Sequence, residues 1–243
     1  MKNGMMGGVV NGVLDAVFPA VCIGCGEEGS YICMRCEGFA SEVALICPLC
    51  SQSSLTGERH STCASRYGLE GLASCWEYEG IVKSLLHSIK YNGITHATGE
   101  TIARTFAVMV QDGNRFNPFL LFLSSPNTSI TYVPMYRKKE RIRGFNQAEV
   151  FAKNLAKVAE KEVLGTLEKI SDTKPQVDLA KEERLYNVKD AFLLLHAPEL
   201  RTIEKVILVD DIWTTGATMK ECCKVLKSAG VQQVWGFTVA RTP

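Results

Sequence analysis

The stretch Val206-Ile207-Leu208-Val209-Asp210-Asp211-Ile212-Trp213-Thr214-Thr215-Gly216-Ala217-Thr218-Met219 constrains the fold of this chain more than any other. Four consecutive apolar residues, β-branched in the main and without polar alternation, predict a strand covered on both faces, as in a parallel sheet. Such sheets bind ligands beyond the carboxyl ends of their strands, and Asp210 and Asp211 stand at that end. Two adjacent carboxylates supply acceptors for a vicinal diol and a negative site for a metal-bound ligand. Thr214, Thr215, Gly216, Ala217 and Thr218 then turn the chain into a helix. Small residues and hydroxyls, with Gly216 removing a Cβ, let backbone amides close on a phosphate that also meets the positive helix end. A diol beside a phosphate is the outline of a ribose 5-phosphate. Surface carboxylates followed by a threonine N-cap would explain half of this pattern, but not its whole order.

At 243 residues the chain suits one α/β domain plus an appendage. A net charge of +1 gives no global attraction to nucleic acid or a membrane surface, so any such contact needs a local patch. Seven of the ten cysteines fall between Cys22 and Cys63. Without a convincing secretory signal ahead of them, reduced thiols holding metal in the cytoplasm are expected rather than a disulfide framework. Cys22-x-x-Cys25 and Cys33-x-x-Cys36 form two knuckles whose four thiolates complete a closed tetrahedral zinc shell, a structural rather than catalytic site. Cys47-x-x-Cys50 and His60-x-x-Cys63 offer a second set. One zinc ion or two, and consecutive or cross-braced pairing, stay open at this stage, as does the reading of Cys47, Cys50 and Cys63 as reduced core thiols. No apolar run reaches the roughly 18 residues of a membrane span.

Residues 9 to 18 carry a helical apolar stripe ending at Pro19. A boundary is expected near residues 64 to 73, giving an N-terminal helix and zinc-binding module over 1–70 and an α/β domain over 71–243. In the latter, Trp76 and Tyr78 suggest a short strand, Ile81 to Ile89 a helix, and residues 97 to 111 another, with Ile102, Phe106, Met109 and Val110 on one face. Residues 112 to 129, rich in Asn, Ser and Pro, read as a connection. A second core strand ends at Val133-Pro134. After it come Arg137, Lys138, Lys139, Arg141 and Arg143, five cations in seven positions. They are either a solvated face or a loop whose guanidinium and ammonium groups neutralise an anionic end of a substrate, with Arg143 foremost. An amphipathic helix follows over 147–160, through Val150, Phe151, Leu155 and Val158. Residues 171 to 190 read either as a hood over the site or as an ordinary exposed segment. A strand over 191–195, a helix after Thr218 with Cys222 and Cys223 as buried thiols, and a last strand over 234–239 complete the chain.

At Asp210 to Thr218 the chain resembles the type I phosphoribosyltransferases. The cysteine knuckles, Val133-Pro134, Arg143-Gly144-Phe145-Asn146-Gln147, Gln176, Glu183-Arg184-x-x-Asn187, Ala191-Phe192 and the Asp210 to Thr218 stretch follow one another in an order similar to the ComF family, over nearly the whole chain. His60 departs from that family, which often has another cysteine there, and Met135-Tyr136 shortens the basic stretch. The resemblance implies a type I phosphoribosyltransferase-like parallel sheet flanked by helices, with a small double-zinc-ribbon-like module at the N-terminus. It also implies an association with competence and DNA uptake. It places Asp210 and Asp211 on the ribose hydroxyls of phosphoribosyl pyrophosphate, residues 214 to 218 around the 5-phosphate, and Arg143, Lys138 and Arg137 on the pyrophosphate. Arg184 reaches in from the hood, magnesium is held largely by the substrate, and zinc is structural.

Three functions follow as expectations. The first is transfer of the phosphoribosyl group to an unidentified acceptor with release of pyrophosphate. The second keeps the pocket without turnover, as a phosphoribosyl-pyrophosphate-responsive component of a competence apparatus. The third uses the zinc module and the 137–143 cations on single-stranded DNA, though aromatics are not interleaved with them. DNA-uptake proteins and a second copy of the chain are the other candidate partners.

Overall fold

A computed structural model describes residues 19–172, 188–195 and 203–243. The apolar stripe at residues 9 to 18 and the residues Gln176, Glu182, Glu183, Arg184 and Asn187 lie outside them. Among the described residues no helix is long and apolar enough to cross a membrane.

The elements in chain order are a short helix α1 (Met34–Glu37), a 3-10 turn at Ser61–Cys63, β1 (Gly71–Glu77), α2 (Gly80–Tyr91), α3 (Ala97–Gln111), α4 (Gly113–Ser124) and β2 (Thr128–Tyr132). They continue with α5 (Arg137–Arg143), α6 (Gln147–Ala159), β3 (Leu167–Lys169), β4 (Phe192–Leu194), β5 (Lys205–Trp213), α7 (Ala217–Ser228) and β6 (Gln233–Arg241). β1, β6, β5 and β2 form one sheet in that order, every pairing parallel, while β3 and β4 make a separate antiparallel ribbon. The expected parallel α/β class is therefore what the chain adopts.

Alternation along β5 shows why its run from Val206 to Val209 is apolar throughout. Ile207 and Val209 pack in one layer with Trp235, Phe237, Phe119 and Phe151, whereas Val206 and Leu208 pack in the opposite layer with Val234, Met219, Cys222 and Phe192. Each face of the strand is thus a core face, and burial of each such side chain is worth about 1.5–3 kcal/mol. Cys222 and Cys223 are fully buried, as a pair of small apolar residues should be.

Three local readings are corrected. Residues 113 to 124 are a helix, not a connection: Asp112 caps it by accepting from the Arg115 amide, and Phe116, Phe119, Phe122 and Leu123 share its buried face. Helical spacing of four large apolar residues outweighs the Asn and Pro118 that mark a loop in isolation. On α3, Val110 is 56% exposed, and the packed face is built instead from Ala97, Thr98, Thr101, Ile102, Thr105 and Met109. On α6, the buried face runs through Gln147, Ala148, Phe151, Ala152, Leu155 and Ala156, with Val158 exposed. Small residues let α3 and α6 approach closely. Hydropathy alone gave too much weight to the valines.

The cysteine-rich segment packs along the edge strand β1. Glu42 bridges to Trp76 and Glu58 to Gly71. Arg115 binds the Glu42 carboxylate and the Val43 carbonyl, Arg104 pairs with Glu37, and the Tyr31 amide donates to Glu100.

Candidate functional site

The carboxyl end of β5 lies beside β6 and borders a cleft shared with α2, α5, α6 and β3. Asp210 and Asp211 lie within the strand, Asp210 in register with Thr238 of β6. Successive residues of a strand face opposite ways, so the two carboxylates divide between the two layers. Asp211 is 8% exposed; its Oδ2 accepts from Gln147 Nε2 at 3.1 Å and its Oδ1 from the Ile212 amide at 2.9 Å. Asp210 Oδ1 accepts from the Asp211 amide at 2.9 Å. Burial, followed by the charge of Asp211, pushes the Asp210 carboxyl well above the usual carboxylate range, with Lys90 partly opposing them.

The Arg143-Gly144-Phe145-Asn146-Gln147 stretch explains itself once its neighbours are in place. Gly144 ends α5 in the left-handed region at φ 87°, where a side chain would be strained. Asn146 caps α6, accepting from the Ala148 amide at 3.1 Å and donating from Nδ2 to the Val133 carbonyl at 3.0 Å. Gln147, in the first turn of α6, then links Arg143 to Asp211: Arg143 Nη1 donates to Gln147 Oε1 at 2.6 Å. An arginine on α5, distant from β5 in sequence, is thereby tied to Asp211 through one side-chain amide.

A cleft of about 260 Å³ opens at this junction, bounded by Asp210, Asn146, Gln147, Arg143, Lys139, Lys90, Tyr91, Lys169 and the Val133–Tyr136 segment. One carboxylate faces four cationic side chains across it. Arg143 lies 5.5 Å over the 60% exposed Tyr91 ring. Of the five cations of the basic stretch, the structure brings Lys139 and Arg143 into this lining. Arg137 turns instead to Glu168 at 2.7 Å, and Lys138 is exposed. The basic stretch is a helix, so its side chains fan out rather than converge as loop residues would. Lys90 and Tyr91, at the end of α2, and Lys169, on the β3–β4 ribbon, were not singled out in the sequence. Each comes from an element whose proximity is set by topology, and no local motif marks them. Arg184 lies outside the described residues.

The bend after β5 has a feature that sequence reasoning assigned differently. Gly216 precedes α7 at φ 72°, and a Cβ there would fall 2.1 Å from the Trp213 ring. The glycine seats the buried indole as well as shaping the turn. Thr215 Oγ1 accepts from the Ala217 amide at 3.4 Å, and Lys220 lies 5.6 Å over the other partner of the contact, the Trp213 ring. Thr214 to Thr218 thus occupy the approach to a twelve-residue helix, with its amino end at the carboxyl end of β5.

The N-terminal ligands assemble in consecutive sets. Ligand atoms of Cys22, Cys25, Cys33 and Cys36 lie within 4.8 Å of one another, as do those of Cys47, Cys50, His60 and Cys63. A tetrahedral zinc with bonds of about 2.3 Å to sulfur sets ligand atoms about 3.8 Å apart. Cys25 and Cys33 sulfurs at 3.6 Å, and Cys50 Sγ with His60 Nδ1 at 3.4 Å, fit that edge. His60 Nε2 lies 3.0 Å from the Ser53 carbonyl, which fixes the tautomer leaving Nδ1 as ligand. At Cys22 burial works against ionisation, yet amides of Cys33, Cys25 and Gly24 bring the thiol down to about 6; amides of Cys50, His60 and Leu49 do the same at Cys47, to about 7. Both clusters are compatible with structural zinc.

Comparison with known proteins bears on both halves. A family profile described as a phosphoribosyl transferase domain matches residues 146–243. The chain is 33% identical over 143 residues to a protein from Haemophilus influenzae named Competence protein F, an alignment covering 58% of this chain and 60% of that one. It is 26% identical over 230 residues to a Salmonella typhimurium protein named DNA utilization protein YhgH, covering 92% and 89%, and 24% identical over 226 residues to Bacillus subtilis Competence protein ComFC, covering 87% and 84%.

Proposed function

Because the chain belongs to the ComF family and carries a phosphoribosyl transferase domain, we propose that the cleft at the end of β5 binds phosphoribosyl pyrophosphate with magnesium and delivers the phosphoribosyl group to an acceptor. The observation that carries this reading is that β5 brings Asp210 to a cleft with four cations and then runs into a glycine-shaped helix entrance. One end suits a sugar 5-phosphate, the middle a diol, and the other end a pyrophosphate.

In this reading Asp210 and Asp211 hold the ribose hydroxyls, and residues 214 to 218 hold the 5-phosphate. Arg143 meets the leaving group, held in place by Gln147. Displacement at the anomeric carbon builds positive charge on the ribose and negative charge on the departing pyrophosphate. Carboxylates on one side and fixed guanidinium and ammonium groups on the other match that separation before it develops. Magnesium, carried mainly by pyrophosphate oxygens, would screen the leaving charge. The two cysteine-rich clusters would hold zinc structurally, with every coordination position filled by the protein. The 1–70 module and the 71–243 domain are the proposed division of the chain, and the names of its relatives suggest DNA uptake as the setting.

Pyrophosphate release tests transfer. With phosphoribosyl pyrophosphate and magnesium present, release should depend on an added acceptor drawn from nucleobases, ammonia and amines. Binding without release across that panel would instead establish a ligand-responsive protein.

A further inference from the structure

The β3–β4 ribbon stands outside the main sheet, yet it sends one cation into the cleft. Lys169, the last residue of β3, lines it beside Lys139, Arg143, Lys90 and Asp210. The ribbon is held there by main-chain contacts: Tyr136 bridges to Lys169 in parallel, and Lys169 pairs with Phe192 of β4. The ammonium lies 5.5 Å from the centre of the Phe192 ring. Its stem is therefore packed, and its reach is fixed by the backbone rather than by a mobile loop.

The charge around this lysine is unbalanced. Burial, and then the nearby Lys139, press its ammonium below the ordinary lysine range, while Cys222, Asp210 and Asp172 act in the other direction. Asp172, three residues further along the same segment, binds Lys139 Nζ at 2.7 Å, and its carboxyl is held below the usual range by that bond and by the charges of Lys139, Lys138 and Lys169. A carboxylate of the protein is thus the counter-ion that this lysine group draws in. Two lysines brought together at a cleft cost free energy unless an anion joins them, and a dianionic or trianionic group does so better than one half-exposed carboxylate.

Resting on the proposed phosphoribosyl-pyrophosphate site, we infer that Lys169 is a pyrophosphate-binding residue that acts with Lys139, and that Asp172 competes with the pyrophosphate for these lysines. The ribbon thereby contributes to the leaving-group end of the site. A purely structural lysine packed on Phe192 would have no such ligand dependence.

Calorimetric titration of the full chain with magnesium pyrophosphate, and separately with ribose 5-phosphate, tests this. Lys169→Met keeps the packed stem and removes the charge. It should weaken magnesium pyrophosphate at least about tenfold, as expected for loss of a charge-assisted contact, while ribose 5-phosphate binds within about twofold of the unaltered chain. Lys169→Arg should retain most of the affinity, and Asp172→Asn should tighten it. Retained ribose 5-phosphate binding shows that each variant is folded. Equal pyrophosphate affinity in Lys169→Met and the unaltered chain overturns the inference alone, as does ribose 5-phosphate binding without any pyrophosphate binding. Failure of the unaltered chain to bind either ligand overturns the underlying site as well.

Discussion

Asp210 sets stability against binding at a single carboxyl group. Its proton affinity is raised by burial and by Asp211, so the folded chain keeps a proton that the unfolded chain has already released at the same pH. From the ordinary carboxylate range, about pH 4, up to its raised native value, each increment of pH therefore favours unfolding through this group. Asp210→Asn removes that dependence. Its melting temperature relative to the unaltered chain should rise as pH rises through the window, measured in matched buffers, and a pH-independent difference would show that the carboxyl is ordinary. Gly216 gives a second test. Alanine there meets both the positive φ and the Trp213 ring, so Gly216→Ala should cost about 1–3 kcal/mol in denaturant unfolding and shift the tryptophan emission. A neutral result would mean that the indole can move aside.

Elements differ in how far their roles can be read from local sequence. The cysteine pairs are local, and the structure resolves what spacing left open by gathering the ligands as 22-25-33-36 and 47-50-60-63. The metal content of the purified chain should be two zinc ions per molecule, falling to one in His60→Ala. One ion in the unaltered chain would mean that the second set is a thiol cluster. β5 was legible for a related reason, since a run buried on both faces and its acidic end are continuous in sequence. α4 was not, because Asn117 and Pro118 resemble loop residues unless the Phe116, Phe119, Phe122 and Leu123 spacing is given more weight. Lys90, Tyr91 and Lys169 lacked any local sign. They line the cleft because α2 and the β3–β4 ribbon converge on β5, a consequence of tertiary packing that no window of sequence contains. Arg137 and Lys138 are the converse case: their charge was visible, while the direction in which a helix would point them was not.

Across the whole molecule, the cysteine-rich segment and the sheet share core. Cys22, Ile32, Cys36 and Leu45 pack in the layer that holds Trp76, Val82 and Ile89, while Ile46 joins Leu69 and Leu72 in the other. Removal of zinc by a chelator should consequently lower the melting temperature of the entire chain in one cooperative transition, followed by calorimetry. Two separate transitions, with the upper one unmoved, would show that the segment is thermodynamically independent. The same continuity joins Arg143 to Asp211 through Gln147 and places the helix entrance at Gly216 just beyond the strand that carries both acids. Titrating phosphoribosyl pyrophosphate with magnesium into the unaltered chain and into the Asp210→Asn, Asp211→Asn double variant examines that arrangement most directly. Saturable heat at one site in the unaltered chain, absent from a folded double variant, is the expected result; the same affinity in both proteins, or none in the unaltered one, would contradict a sugar-phosphate site at the end of β5.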